Sequence, residues 1–251
     1  MAKKIGLALS GGGMRGAAHI GLLKRLDEMD IKPHVIAGTS AGAIVGSLYA
    51  AGHSYPTILE FFKEQKLFDI THFTWTKPGF IDTDDYLEHM RPYFDEDRFD
   101  ALNTKLYVLA AEILHGEMCI FESGELIKTV LASAAIPGVF SPVQIGDKLY
   151  VDGGVVNNFP SDILRDKCDF VIGMNVNAIP KVKPEDMGTT FSILRRVYEI
   201  SSRKQALENE QYCDIAITPK DLVEYNEFNK KNIDAAFEIG YKEATKALEH
   251  F

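Results

Sequence analysis

Twice near the N-terminus an apolar run of strand length ends in a glycine-containing turn and passes directly into a helical pattern. No other feature restricts the fold as much. Ile5–Leu9 is followed by Ser10-Gly11-Gly12-Gly13-Met14-Arg15-Gly16, and then by a helical pattern over 17–29 with Ile20, Leu22, Leu23 and Leu26 at helical spacing. Residues 35–37 read as a second strand, Gly38-Thr39-Ser40-Ala41-Gly42 as a sharp turn, and 41–51 as a helix of small residues that can pack closely. Strands that are apolar throughout, rather than at every second residue, are covered on both faces. Strand, helix, strand, helix is the order that builds a parallel sheet between two helical layers. The expectation is an α/β fold in three layers, with a mostly parallel central sheet and helices on both faces.

The rest of the chain continues the pattern. Residues 106–113 and 118–121 flank His115-Gly116-Glu117 as a hairpin, and 126–135 reads as a helix stopped by Pro137-Gly138. Strands are expected at 149–151, 170–176 and 214–218, and helices at 191–210 and 229–249. With 251 residues and 46% hydrophobic content there is enough for one domain, 1–251, around a sizeable core. No run of 18 apolar residues appears, so no membrane-spanning helix is expected. Lys3 and Lys4 before the first apolar run resemble the start of a signal peptide, but the run is too short and ends in Ser10 and three glycines. A net charge of −9 argues against nonspecific nucleic-acid binding and against a strong basic grip on anionic membranes, leaving a local basic patch open. Cys119, Cys168 and Cys213 are odd in number and lack a C-x-x-C spacing, so neither a disulfide framework nor a zinc site is expected. A reducing cytoplasm is the simplest compartment.

Gly38-Thr39-Ser40-Ala41-Gly42 is a G-x-S-x-G string placed between a strand and a helix. That context makes a nucleophile elbow, where a serine is held strained and open above the sheet, its oxygen at a helix N-terminus. The three glycines after the first strand can turn several N–H groups toward one point, which suits either a phosphate or the oxyanion of acyl transfer. Gly11, Gly13 and Gly16 also satisfy G-x-G-x-x-G, so a nucleotide-binding module is the alternative of another class. Its acidic ribose anchor should close the second strand, yet Asp27, Glu28 and Asp30 all precede that strand, which runs into Ser40. A base for the serine is harder to find. His19, His34, His53, His72, His89 and His115 have no motif around them, and after Asp152 the one histidine left is the penultimate residue, His250. Asp152-Gly153-Gly154, a carboxylate at an expected exposed turn after a strand, is the remaining candidate. An aspartate, with an ordinary pKa of about 3.9, serves as a base only if partly desolvated and held against the hydroxyl.

These pieces in this order resemble the patatin-like phospholipases. Gly11-Gly12-Gly13-Met14-Arg15-Gly16 is similar to the family's oxyanion loop, Gly38-Thr39-Ser40-Ala41-Gly42 to its elbow, and Asp152-Gly153-Gly154 to its aspartate motif. Two further segments, 132–143 before the aspartate and Val155-Val156-Asn157-Asn158-Phe159-Pro160 after it, are also similar. The resemblance runs over about residues 4–176. It implies a patatin-like three-layer fold and a lipid acyl-ester hydrolase of phospholipase A, lysophospholipase or esterase type. Ser40 is then the nucleophile and Asp152 its proton acceptor, without histidine. Gly11, Gly12 and Gly13, with Arg15 nearby, hold the oxyanion, and Gly16, Gly38, Gly42, Gly153 and Gly154 shape the turns. No metal or cofactor is implied, and the partner is an acyl lipid met at a transient membrane contact from a cytoplasmic or peripheral location. An acyltransferase or thioesterase with the same dyad differs only in the acceptor, and a lipid-binding protein without catalysis would not need both Ser40 and Asp152. Head group, acyl length and oligomeric state stay open.

One stretch is richer in aromatics than the rest. Residues 54–83 hold Tyr55, Phe61, Phe62, Phe68, Phe73, Trp75 and Phe80. Tyr55, Ile58, Leu59, Phe61, Phe62 and Leu67 can share one helix face, with Lys63 and Lys66 at its border. That is the pattern of a hydrophobic rim admitting acyl chains, and equally of aromatics that complete the core.

Overall fold

The computed structural model describes residues 3–64, 84–225 and 229–251. Its strands are β1 (Ile5–Leu9), β2 (Val35–Thr39), β3 (Lys105–Glu112), β4 (Glu117–Phe121), β5 (Val143–Ile145), β6 (Lys148–Asp152), β7 (Phe170–Met174) and β8 (Ile215–Ile217). They form one sheet in the order β5-β6-β3-β2-β1-β7-β8, with β4 also paired to β3. From β3 to β8 the neighbours run parallel, whereas β4, β5 and β6 are antiparallel additions. The helices are α1 (Ala17–Glu28), α2 (Ala41–Ala50), α3 (Tyr55–Glu64), α4 (Asp84–Met90), α5 (Leu126–Ser133), α6 (Asp162–Arg165), α7 (Thr190–Asn209) and α8 (Ile233–Ala247).

Successive side chains of a strand point to opposite faces, so each central strand feeds two cores. Leu7, Leu9, Ile36, Val108 and Ile172 face the larger core, against Ile20 and Leu23 of α1, Ile44 and Leu48 of α2, Val130 of α5 and Phe237 of α8. Ala8, Val35, Ala37, Tyr107 and Val171 face the other way, against Phe159, Leu164 of α6 and Ala206 of α7. This is the expected three-layer arrangement. Small residues on the second face, Ala8 and Ala37, let α6 and the segment around Phe159 lie close to the sheet.

The register of β3 has a consequence for the site. Its first half pairs with β2, ending at Thr39 opposite Leu109. Its second half pairs with β6 from the other end, with Asp152 opposite Ala110. Strands β2 and β6 therefore approach head to head along one side of β3. The residues that leave them, Ser40 and Asp152, meet at the junction.

Helix α3 forms as the pattern predicts, but its apolar face is not a rim. Ile58, Phe61 and Phe62 are buried in the larger core, and Lys63 pairs with Asp234 at 2.5 Å. An amphipathic helix needs an apolar partner, and here the core supplies it. Phe68, Phe73, Trp75, Phe80, Leu67 and Lys66 lie outside the described residues. No helix among the described residues is long and apolar enough to cross a membrane.

Candidate active site

Ser40 stands between β2 and α2 with φ 54° and ψ −124°. A non-glycine residue in such a conformation costs on the order of 1–3 kcal/mol and persists only where its surroundings hold it. Its carbonyl accepts from the N–H groups of Ala43 and Ile44, so it already belongs to the first turn of α2. Its own N–H donates to Ser133 Oγ at 2.9 Å, at the end of α5. The flanking glycines are required by contact. A Cβ on Gly38 would lie 2.5 Å from the carbonyl oxygen of Gly42, and one on Gly42 would lie 2.2 Å from that of Leu9. Gly16 is packed in the same way against Ala41, where a Cβ would come within 2.7 Å of the alanine's own.

Asp152 closes β6. The turn was expected to be exposed, but the carboxyl is fully buried, because β6, α5 and α7 enclose it. Its backbone N–H donates to the carbonyl of Ala135 at 2.9 Å, and Gly154 N–H donates to Oδ1 at 2.7 Å. Burial raises its pKa to about 6. The hydroxyls of Ser40 and Tyr198 and the Gly154 amide oppose that rise by favouring the charged form. Oδ2 is buried as well. Gly153 lies against β3, where a Cβ would come within 2.3 Å of the Leu109 carbonyl oxygen. Gly154 lies under Tyr198, with 2.3 Å between such a Cβ and the tyrosine hydroxyl.

The glycine loop completes the enclosure. Gly12 and Gly13 line the same small cavity as Ser40, Asp152, Asn158 and Tyr198. Gly13 sits at φ 58°, a conformation few side chains tolerate. The other two expected donors are engaged elsewhere. Gly11 N–H donates to the carbonyl of Asn158 at 3.0 Å. Arg15 is buried and turned away, with Nε donating to the Tyr225 carbonyl at 2.7 Å and Nη1 to that of Ala178. Arg15 thus ties the loop to the C-terminal part of the chain. His19 is also structural. It is fully buried, bonds through Nε2 to the Ser10 carbonyl at 2.8 Å, and is held neutral by burial, which lowers its pKa to about 4. Among the described residues no histidine lines the cavity.

Asn158, Tyr198, Ser133, Asn177 and Ser202 were not singled out from the sequence. Ser133 and Asn158 lie in segments similar to the family's, but nothing in their spacing marks them as site residues. Tyr198 and Ser202 come from α7, a helix without a recognisable motif, and Ser202 Oγ donates to the Gly154 carbonyl at 2.8 Å. Asn158, Asn177, Tyr198 and Ser202 line, with Ser40 and Asp152, a cavity of about 30 Å³, which is room for little more than water. Beside it lies an apolar pocket of about 260 Å³ between Pro137, Gly138, Val139 and Leu194, sharing Ile136, Arg195 and Tyr198 with the cavity.

The chain is similar to several known proteins. An NTE-family protein of Mycobacterium tuberculosis is 27% identical over 98% of this chain and 47% of its own length. A patatin-like phospholipase domain-containing protein of Caenorhabditis elegans is 30% identical over 82% of this chain and 16% of its own. The chain thus spans about half or less of the length of these relatives. Among solved structures, VipD from Legionella pneumophila has a TM-score of 0.57 at 14% identity, covering 99% of this chain and 67% of that one. The type III effector ExoU has a TM-score of 0.52 at 12% identity, covering 98% and 53%. At such identities the likeness shows a shared fold. The patatin-like phospholipase model matches residues 7–165, a stretch that takes in the glycine loop, the elbow and Asp152. Because that match covers more than half of the chain, the protein belongs to the patatin-like phospholipase family.

Proposed function

We propose that the protein hydrolyses acyl esters of lipids through a Ser40–Asp152 dyad. The observation that carries this reading is the meeting of a conformationally strained serine with a buried carboxyl whose pKa burial has raised to about 6. At neutral pH that carboxyl is ionised, yet far more basic than an exposed aspartate, which is the compromise general-base catalysis favours. Ser40 Oγ attacks the ester carbonyl carbon while its proton passes to Asp152. The carbonyl oxygen becomes an oxyanion beside the N–H groups of Gly12 and Gly13, and one such donor is worth about 2.7–4 kcal/mol. Collapse of the tetrahedral intermediate breaks the ester C–O bond, and the leaving alcohol takes the proton from Asp152. Water then attacks the acyl-enzyme, gives a proton to Asp152, and releases the carboxylic acid as Ser40 recovers its hydrogen. The neighbouring apolar pocket between Ile136, Val139 and Leu194 is suited to an acyl chain, and family membership supports a lipid substrate.

An alkyl fluorophosphonate tests the assignment. It is expected to label Ser40 alone, and Ser40→Ala should abolish labelling together with hydrolysis of both a soluble short-chain ester and a phospholipid. Labelling of another serine, or turnover by the Ser40→Ala protein, would overturn it.

A further inference from the structure

Helix α7 is laid on the domain with its polar side inward. Ser202 and Asn209 are buried beneath it. Ser202 bonds the Gly154 carbonyl, Asn209 Nδ2 donates to the Phe159 carbonyl at 2.8 Å, and the Gln205 amide donates to the Val156 carbonyl. Apart from the small Ala206, which packs inward, large apolar residues point out. Ile193, Leu194, Val197, Ile200 and Leu207 are between 43% and 63% exposed. Positions 193, 197, 200, 204 and 207 recur at alternating steps of four and three, so they form one stripe along the helix. A helix at a protein surface normally does the reverse, and an outward apolar stripe beside a binding cavity marks a contact surface.

Charge identifies what it contacts. The chain as a whole is at −9, yet α7 carries four basic residues and two acidic ones. Arg195 and Arg196 both pair with Glu199, and the exposed charges of the helix are Arg203, Lys204 and Glu208, a net positive outward face. Arg203 and Lys204 are exposed, with Lys204 in line with the apolar stripe. Apolar side chains flanked by snorkelling cations are the composition of a helix lying in the plane of an anionic membrane surface. Leu194, exposed at the edge of the stripe three residues before Val197, also forms part of the wall of the apolar pocket beside the site, so the docking face adjoins the mouth of the site. We propose that the outward face of α7 docks this protein on an anionic phospholipid bilayer, with Ile193, Val197 and Ile200 among the acyl chains and Arg203 and Lys204 at the head groups. The assignment of phospholipid as substrate is deepened by this, and it rests on the hydrolase reading above. The docking itself does not need catalysis.

The test is flotation of the full chain carrying Ser40→Ala, so that vesicles stay intact, with phosphatidylcholine vesicles containing or lacking phosphatidylglycerol. The chain is expected to float with the anionic vesicles and to do so less at high salt. Val197→Ser with Ile200→Ser should weaken partitioning about tenfold. Arg203→Gln with Lys204→Gln should weaken it by about tenfold on anionic vesicles alone. Both pairs should melt within a few degrees of the parent, since these side chains are exposed. Failure to float, or equal flotation of parent and both variants, would overturn the proposal. So would a dimer by sedimentation equilibrium that Val197→Ser with Ile200→Ser converts to monomer without any vesicle binding, because a second copy would then cover the stripe. Turnover of a soluble ester by the unsubstituted chain separates the two ideas. Hydrolysis without flotation sinks docking alone, and flotation without hydrolysis sinks the enzymatic reading.

Discussion

Asp152→Asn should make the protein more stable and catalytically dead, and the gain in stability should depend on pH. Burial holds the Asp152 pKa at about 6 against an ordinary 3.8, with Ser40, Gly154 and Tyr198 only partly offsetting it. A carboxyl whose pKa is raised by folding binds its proton more tightly in the folded chain than in the unfolded one. The associated stability is fully present below pH 3.8 and is lost as pH rises through about 6. Two units or so correspond to about 3 kcal/mol, which the folded state loses above pH 6 relative to its acidic form. Asparagine has the same shape, needs no ionisation, and can keep the 2.7 Å bond from Gly154 N–H through its carbonyl oxygen. In urea denaturation at pH 8 the variant should therefore exceed the parent by about 3 kcal/mol, or roughly 6–12 °C in melting temperature for a domain of this size. At pH 4 most of that advantage should vanish. Ester hydrolysis by the parent should rise through pH 6 as Asp152 ionises, and by the variant should be lost at every pH. A variant less stable than the parent at pH 8, or one that differs by the same amount at both pH values, would refute the view that Asp152 is a strained, desolvated carboxylate.

His19→Gln can keep the bond to the Ser10 carbonyl while removing a buried group that resists protonation. The pKa of His19 is lowered to about 4, so its contribution is present above its ordinary 6.5 and lost as pH falls through 4. The variant should be more resistant to acid unfolding by about 3 kcal/mol at pH 4, and an unchanged midpoint in an acid titration followed by circular dichroism would count against it. Ser133→Ala removes the acceptor of the Ser40 N–H and leaves that buried donor unpaired, for a loss of about 1–3 kcal/mol and slower fluorophosphonate labelling. Destabilisation with unchanged labelling would mean that this bond does not hold the elbow. Gly42→Ala drives a methyl group to 2.2 Å from the Leu9 carbonyl oxygen and should cost about 3 kcal/mol or more, so a melting temperature near the parent's would show that α2 can move away from the sheet.

The strand–turn–helix doublet was readable in the sequence because it is local. Apolar runs, glycines at the turns and helical spacing lie within a few residues of one another, and each element's type follows from its own period. The three-layer sheet and Ser40 as the residue at the elbow were legible for that reason. Asp152 was legible as a residue but not as a buried one. Its environment arises where β3 changes partner from β2 to β6, and pairing between strands far apart in the chain has no local signature. The same limit hid Tyr198 and Ser202, since α7 reads as an unremarkable helix until its polar side is seen over the cavity. It also left open whether Phe61 and Phe62 face lipid or core, because periodicity shows that a helix has an apolar face and not what covers it. Gly11 and Arg15 show the converse. Their residue types suit an oxyanion site, but the folded chain directs the Gly11 amide to the Asn158 carbonyl and the Arg15 guanidinium to those of Ala178 and Tyr225. Hydrogen-bonding capacity is written in the sequence, whereas the atom that meets it is decided only when distant segments pack together.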